Sequence, residues 1–413
     1  MHFLGSRAAH RAPEAKVPED HIRTPSGHGW HLPWCAGPHA SPSPTRSHLM
    51  VKNSRRKKRI RAAAAEAGSN YTSALRKDLT AQQAPELPSE YWFPNHGTPE
   101  FDEAIKLARQ GILRFGPQEG GGWLDWNLNE TPHGLFGGKT GSGKSVALLI
   151  VLFYAMYLPE QVEVIVCDPK GTEFSWATEF PSVIRYAHSD EDICDALELA
   201  GERLDTVTRL LNRTGVRKLS WLREEYAHNP ELEAQFGPAP KRLIVVFDEI
   251  AEFLVRAADD SLEERKGEAR MRLERIGRLG RAPEVNIVCT AQKPDSEVMS
   301  IQLLSQLPFR LGFGPLGEDE SRVILYSGHG ARLPAADIPD GRAWAYEPMH
   351  GHRQVQVMFL PAGPLPRPWD LDRDVPGARE LIRDRLAQLG YRQVTGAKGN
   401  GGGPRWVRPT SAA

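Results

Sequence analysis

Eight consecutive residues, Gly138, Lys139, Thr140, Gly141, Ser142, Gly143, Lys144 and Ser145, fit the spacing Gly, four residues, Gly-Lys-Ser/Thr. Glycines at this density let a backbone wrap closely around an anion with its N–H groups turned inward. In such a loop the lysine, here Lys144, reaches the β and γ phosphates of a nucleotide, and the hydroxyl that follows, here Ser145, ligates Mg²⁺. Further along, the apolar run Leu243-Ile-Val-Val-Phe ends in Asp248-Glu249. One acid in that position holds Mg²⁺, directly or through water, which is the part of Asp248; the next, Glu249, is placed to polarise an attacking water. Together, about a hundred residues apart on one chain, the two motifs read as a site for ATP and Mg²⁺.

Such residues need a strand before the loop and a helix after it. His133-Gly-Leu-Phe supplies the first, and the apolar residues 146–158 the second, with the helix presenting its positive end to the phosphates. That helix would extend ~20 Å against a hydrocarbon core of ~30 Å, so it reads as a buried core helix and not as a membrane span. A buried strand, Val162-Glu-Val-Ile-Val-Cys, ends in Asp168, and Ile193, Leu197, Ala200, Leu204, Val207 and Leu211 recur at helical spacing. Residues 112–116 and 122–128 read as a hairpin, and residues 213–240 as a polar excursion from the core. Further strands are expected at 285–290, 309–313, 342–346 and 355–359. The alternation of strands and helices predicts an α/β fold, a mostly parallel sheet with helices on both faces.

The 413 residues carry 52 Lys plus Arg and 52 Asp plus Glu, so net charge excludes no partner and any nucleic-acid contact must be a local patch. Cys35, Cys167, Cys194 and Cys289 lack metal-ligand spacing and read as reduced thiols. Residues 1–49, rich in His, Pro, Ser and Gly, are expected to be disordered, with Met50 as the true start. Residues 50–79 form a basic, partly helical arm in which Arg55, Arg56, Lys57 and Lys58 are candidates for phosphate contact with DNA. A linker is expected over 80–104, the main domain over 105–362, and over 363–413 a tail with one helix at 377–389 and disorder beyond it.

The order of motifs from about residue 105 to 360 resembles the motor domain of the FtsK/SpoIIIE family of hexameric double-stranded DNA translocases. The matching features are Pro132 through Ser145, Asp168-Pro-Lys-Gly-Thr-Glu-Phe, Gly215-Val-Arg-Lys, Val245-Val-Phe-Asp-Glu-Ile-Ala-Glu, Ala291-Gln-Lys-Pro, Asp319-Glu-Ser-Arg-Val-Ile-Leu and Gly341-Arg. The resemblance implies a RecA-like ATPase core, a homo-oligomeric ring, ATP with Mg²⁺, and double-stranded DNA as partner. By the same resemblance Gln292 is the γ-phosphate sensor and Arg281 an arginine finger offered to a neighbouring subunit, with Arg278 as its rival. Lys293, Arg310 and Arg322 become DNA-contact candidates, because Leu304 and Glu318 stand where relatives often carry basic residues. No role follows for Asp168 and Lys170.

A single motor unit with a basic arm, no membrane domain before it and no room for a winged-helix module after it is similar to the Tra-type transfer proteins of actinobacterial plasmids and integrative elements. That implies a cytoplasmic protein working at a membrane-associated partner. Protein secretion, chromosome segregation and a nucleotide-controlled switch are the rival readings.

Overall fold

The computed structural model describes residues 61–62, 64–65, 70, 86–292, 299–333, 338–365, 375–394 and 405–408. Backbone contacts separate residues 1–63 from residues 64–413, and all that follows concerns the second unit. The expected disorder of 1–49 and the basic residues Arg55, Arg56, Lys57 and Lys58 lie outside the described residues.

Folded structure begins earlier than the sequence reading placed it. Within the expected linker, helix α1 (Pro99–Arg109) starts on Thr98, whose hydroxyl accepts the Phe101 N–H at 3.3 Å; Pro99 opens the first turn, and Glu100 and Asp102 favour its positive end. Strands β1 (Ile112–Pro117) and β2 (Trp123–Asn127) pair antiparallel as the expected hairpin. Then come β3 (Gly134–Gly138), α2 (Lys144–Tyr157), β4 (Val162–Cys167), β5 (Val183–Ala187) and the long α3 (Asp190–Thr214). The 213–240 region is helical: α4 (Leu219–His228) tucks Leu219 and Leu222 against Val207 and Leu211 of α3, and α5 (Glu231–Phe236) follows with no buried residue. Next are β6 (Arg242–Phe247), α6 (Ile250–Leu254), α7 (Asp260–Leu279), β7 (Val285–Ala291), α8 (Ile301–Ser305), β8 (Phe309–Phe313) and α9 (Glu318–Leu325). The hairpin β9 (Arg342–Glu347) and β10 (Gly351–Gln356) is followed by α10 (Ala378–Gln388).

Eight strands form one sheet in the order β10-β9-β8-β3-β7-β6-β4-β5. The six from β8 to β5 run parallel, and β9 and β10 add an antiparallel edge. Alternate residues of the strands supply the two faces. Val164 and Val166 pack with α2, α10 and Phe101 of α1, whereas Ile165 and Cys167 pack with α3, α6 and α7. Cys167, Cys194 and Cys289 are buried free thiols. Among the described residues no helix is long and apolar enough to cross a membrane.

Three expectations need correction. The last strand is shifted: residues 357–359 leave the hairpin because their N–H groups are claimed elsewhere, Val357 by Gly341, Met358 by Phe115 and Phe359 by Tyr91. The tail is not an appendage. Ala378, Ile382 and Leu386 of α10 are buried in the core cluster that contains α2, and Arg383 reaches the buried Glu179 at 2.9 Å. Beyond it, Arg392–Val394 (β11) pairs with Arg405–Val407 (β12), where disorder was expected.

Candidate functional site

Strands β3, β7 and β6 lie side by side and parallel, so the loops that leave their carboxyl ends emerge on one edge of the sheet. The glycine-rich loop follows β3, Asp248-Glu249 follows β6, and Gln292 follows β7. Ligands of open parallel sheets bind at that edge. A cavity of about 950 Å³ opens there, and Thr140, Lys144, Ser145, Asp248, Glu249 and Gln292 all line it.

Two glycines of the loop are required by close approach. A Cβ on Gly138 would lie 2.7 Å from the Phe313 carbonyl oxygen, and one on Gly143 would lie 3.1 Å from Gly341 Cα; both residues also have positive φ, 146° and 112°. Gly143 precedes α2, whose first turn carries no acid of its own and whose first N–H groups have no partner within the helix. Lys144 Nζ donates to the carbonyls of Gly138 at 2.6 Å and Lys139 at 2.9 Å. Burial lowers its pKa, and the carboxylates of Glu249 and Asp248 act against that.

The acids are held by a residue that the sequence did not single out. Thr290 of β7 donates its hydroxyl to Asp248 Oδ1 at 3.1 Å, and the Thr290 hydroxyl oxygen accepts the Glu249 N–H at 2.9 Å. Glu249 itself sits at φ 59°, ψ 68°, a left-handed conformation that costs a side-chain-bearing residue roughly 1–3 kcal/mol. Its two carboxylate oxygens accept the Gln292 N–H, and Gln292 Oε1 accepts the Thr140 hydroxyl at 3.1 Å. Burial pushes both acids above the ordinary carboxylate range; the Thr290 hydroxyl opposes this at Asp248, and the Gln292 N–H opposes it at Glu249.

Asp168 now has a structural role. It ends β4 at the same edge, is fully buried, and accepts the N–H groups of Gly171, Glu173 and Phe174 at 3.0–3.1 Å, with the Tyr186 hydroxyl at 3.0 Å. The loop it gathers places Lys170, Thr172 and Glu173 on the cavity wall. Burial raises Glu173, and the neighbouring Asp248 and Asp168 add to the effect. The signal for this loop was its position: Asp168 closes an apolar strand just as Asp248 does.

Among the described residues no group of three His, Cys, Asp or Glu is arranged to hold a metal. The Ser145 hydroxyl and the Asp248 carboxylate, both on the cavity wall, are the hard oxygen donors that Mg²⁺ takes when most of its shell is water and phosphate. The donor set therefore fits that ion.

The remaining candidates lie elsewhere. Arg281 follows α7 and precedes β7, at the opposite end of the sheet from the cavity; it is exposed, and its Nε donates to the Asn129 carbonyl at 3.0 Å. Arg310 is no DNA contact. It is fully buried and donates to the carbonyls of Leu304, Leu307, Val323 and Ile324, with its guanidinium over the Tyr326 ring. Arg322 is exposed on α9 and pairs with Glu318 at 3.1 Å and Asp319 at 3.3 Å. Lys293 lies outside the described residues.

With this geometry in place, comparison with known proteins is decisive for residues 106–296, which match the FtsK/SpoIIIE family model. This stretch is an FtsK/SpoIIIE-family domain. Relatives include the DNA translocase SftA of Bacillus subtilis, 28% identical over 202 residues, which are 48% of this chain and 20% of SftA. The DNA translocase FtsK of Lactococcus lactis subsp. cremoris is 28% identical over 235 residues, 55% of this chain and 30% of its own length. The chain thus spans less than a third of those curated relatives. Among solved structures, the pCW3 conjugation coupling protein TcpA bound to ATPγS shares the fold with a TM-score of 0.55 at 23% identity, over 66% of this chain and 71% of that one. The type VII secretion ATPase EccC of Thermomonospora curvata does so with a TM-score of 0.54 at 20% identity, over 73% and 33%. These likenesses place the FtsK/SpoIIIE-family domain on a phosphate-loop ATPase fold.

Proposed function

We propose that the protein is an ATPase that moves double-stranded DNA as a homo-oligomeric ring, a hexamer, in conjugal transfer of a plasmid or integrative element. It would act in the cytoplasm at a membrane-associated partner. The observation that carries the ATPase part is the convergence of Lys144, Ser145, Asp248, Glu249 and Gln292 on one cavity. Lys144, released from the Gly138 and Lys139 carbonyls, neutralises the β and γ phosphates. Ser145 and Asp248 would hold Mg²⁺, which supplies charge neutralisation at the phosphate oxygens. Glu249 orients and activates water, and its raised pKa makes it a better proton acceptor than an ordinary carboxylate.

Gln292 has the contacts a sensor needs. Its side chain touches the phosphate loop through Thr140 and its N–H holds Glu249, so a change at the γ-phosphate reaches the water-activating acid through one residue. Arg281, far from its own cavity, fits a role in a neighbouring subunit, where a finger contributes on the order of 10³–10⁵ in rate. The sequence relatives favour DNA as the load. The similar fold of EccC keeps a second reading, a protein-secretion ATPase, worth testing.

The test is ATP hydrolysis by the purified protein without polymer, with linear duplex DNA and with single-stranded DNA. Strong stimulation by duplex alone is expected. Hydrolysis indifferent to DNA would sink the translocase reading and favour secretion.

A further inference from the structure

The cavity extends beyond its phosphate end. A second wall comes from two stretches outside residues 106–296, and both are tied down. Arg342 Nη2 donates to the carbonyls of Pro88 at 2.8 Å and Leu87 at 3.4 Å, while its Nε donates to Gln356 Oε1 at 3.0 Å. The Phe93 N–H donates to the Phe359 carbonyl at 2.9 Å and the Phe359 N–H to the Tyr91 carbonyl at 2.7 Å. Residues 87–93 therefore form a strap bound to the chain that leaves β10. The strap brings Ser89, Glu90 and Tyr91 to the cavity that Lys144 lines, beside Asp340, Gln356 and Phe359. Gly341 locks this wall to the phosphate loop, because its Cα occupies the space where a Gly143 side chain would begin, 3.1 Å from that Cβ position.

The chemistry of the two ends differs. Among the described residues that line the cavity, the cations Lys144 and Lys170 belong to the phosphate end. The strap end offers aromatic rings, two carboxylates, an amide and a hydroxyl. Anionic oxygens would be repelled there, whereas aromatic rings stack on a base and carboxylates accept from sugar hydroxyls. We propose that the strap and its partner segment hold the nucleoside half of the nucleotide, with Tyr91 and Phe359 against the base and Glu90 and Asp340 accepting from the ribose hydroxyls. This rests on the ATP reading of the phosphate end. Arg342 is a positioning residue, acting through the strap carbonyls.

Calorimetric titration of the full chain with ATP and with inorganic triphosphate separates the two halves. The wild-type protein should bind ATP more tightly than triphosphate. Tyr91→Ala and Phe359→Ala should weaken ATP by roughly tenfold, the scale of one lost base-stacking contact, and leave triphosphate unchanged. Arg342→Gln should reproduce that split, and so, more weakly, should the exposed Glu90→Gln, whose fold is least at risk. Equal binding of the two ligands by the wild type overturns the proposal, as does equal loss of both, or loss of neither, in the variants. A failure of the underlying ATP reading looks different: Lys144→Ala would then leave triphosphate binding intact.

Discussion

Both carboxylate oxygens of Glu249 accept the backbone N–H of Gln292, at 3.1 and 2.9 Å. The residue placed to activate water is thus held by the main chain of the residue placed to sense phosphate. Because the bond is to the backbone, the side chain of Gln292 remains free to engage Thr140.

Glu249→Gln should bind ATP as the wild type does and lose about 10²-fold or more in turnover, the usual contribution of a general base. Gln292→Ala keeps the N–H that holds Glu249 but loses the Thr140 link; it should bind ATP, hydrolyse it slowly and respond poorly to duplex DNA. Nucleotide titration and steady-state hydrolysis check both, and full DNA stimulation in Gln292→Ala would remove its sensor role.

Asp248 gives a stability prediction with a definite sign. Burial raises its folded-state pKa, so its contribution is fully present below the unfolded pKa of about 3.9 and is lost as pH rises through the raised value. Near neutral pH the ionised side chain therefore destabilises the nucleotide-free protein. Asp248→Asn should raise the thermal midpoint of the nucleotide-free protein at pH 7.5 while abolishing hydrolysis. A lower midpoint would contradict this.

His133 works in the opposite direction. Buried at the start of β3, with Nδ1 accepting the Ile287 N–H at 2.9 Å, it is pushed down to about 3 by desolvation. Its contribution is complete above the ordinary value near 6.5 and is lost as pH falls toward 3, on the order of 4–5 kcal/mol across the window. His133→Gln should flatten the acid limb of a stability–pH curve measured by urea unfolding; an unchanged limb would assign acid lability elsewhere.

Arg310→Ala should destabilise the fold by about 3–5 kcal/mol, because four carbonyls around the ends of α8 and α9 lose their donor at once. Folded Arg310→Ala protein should keep wild-type DNA affinity and the same salt slope. Weaker DNA binding without loss of stability would return Arg310 to the DNA-contact candidates.

Arg281→Ala alone should hydrolyse ATP poorly yet recover activity when mixed with Lys144→Ala protein, since each supplies what the other lacks. Activity in the mixture no greater than the sum of the parts would place the finger elsewhere or count against a ring.

The phosphate loop and the Asp248-Glu249 pair are legible in the sequence because backbone geometry dictates their residue types: glycine where Phe313 and Gly341 crowd the chain, acids where an apolar strand ends. The six parallel strands follow from their apolar runs, except β5, whose Val-Ile-Arg-Tyr-Ala mixes buried and exposed positions and gives neither a continuous run nor a clean alternation. Helix α1 was signalled by Thr98-Pro99 and its acidic first turn, but the prolines and glutamates before it suggested a linker. Arg310 could not be read, because an arginine is ordinarily a surface residue and its carbonyl partners are gathered only by the fold. Thr290 acts through hydrogen bonds to Asp248 and Glu249, which follow a different strand, and no local pattern encodes that.

Strand β3 lies between β7 on one side and β8 on the other. Residues 106–296 include β7 but end before β8. The stretch by which the chain is recognised would therefore, if cut out alone, carry a bare hydrogen-bonding edge on the very strand that leads into the phosphate loop, open to pairing with another copy. Kinship and self-sufficiency thus have different boundaries here. A gene fragment tailored to the family match would yield sticky, misassembled material, and soluble behaviour should appear only when the cut is moved past α10.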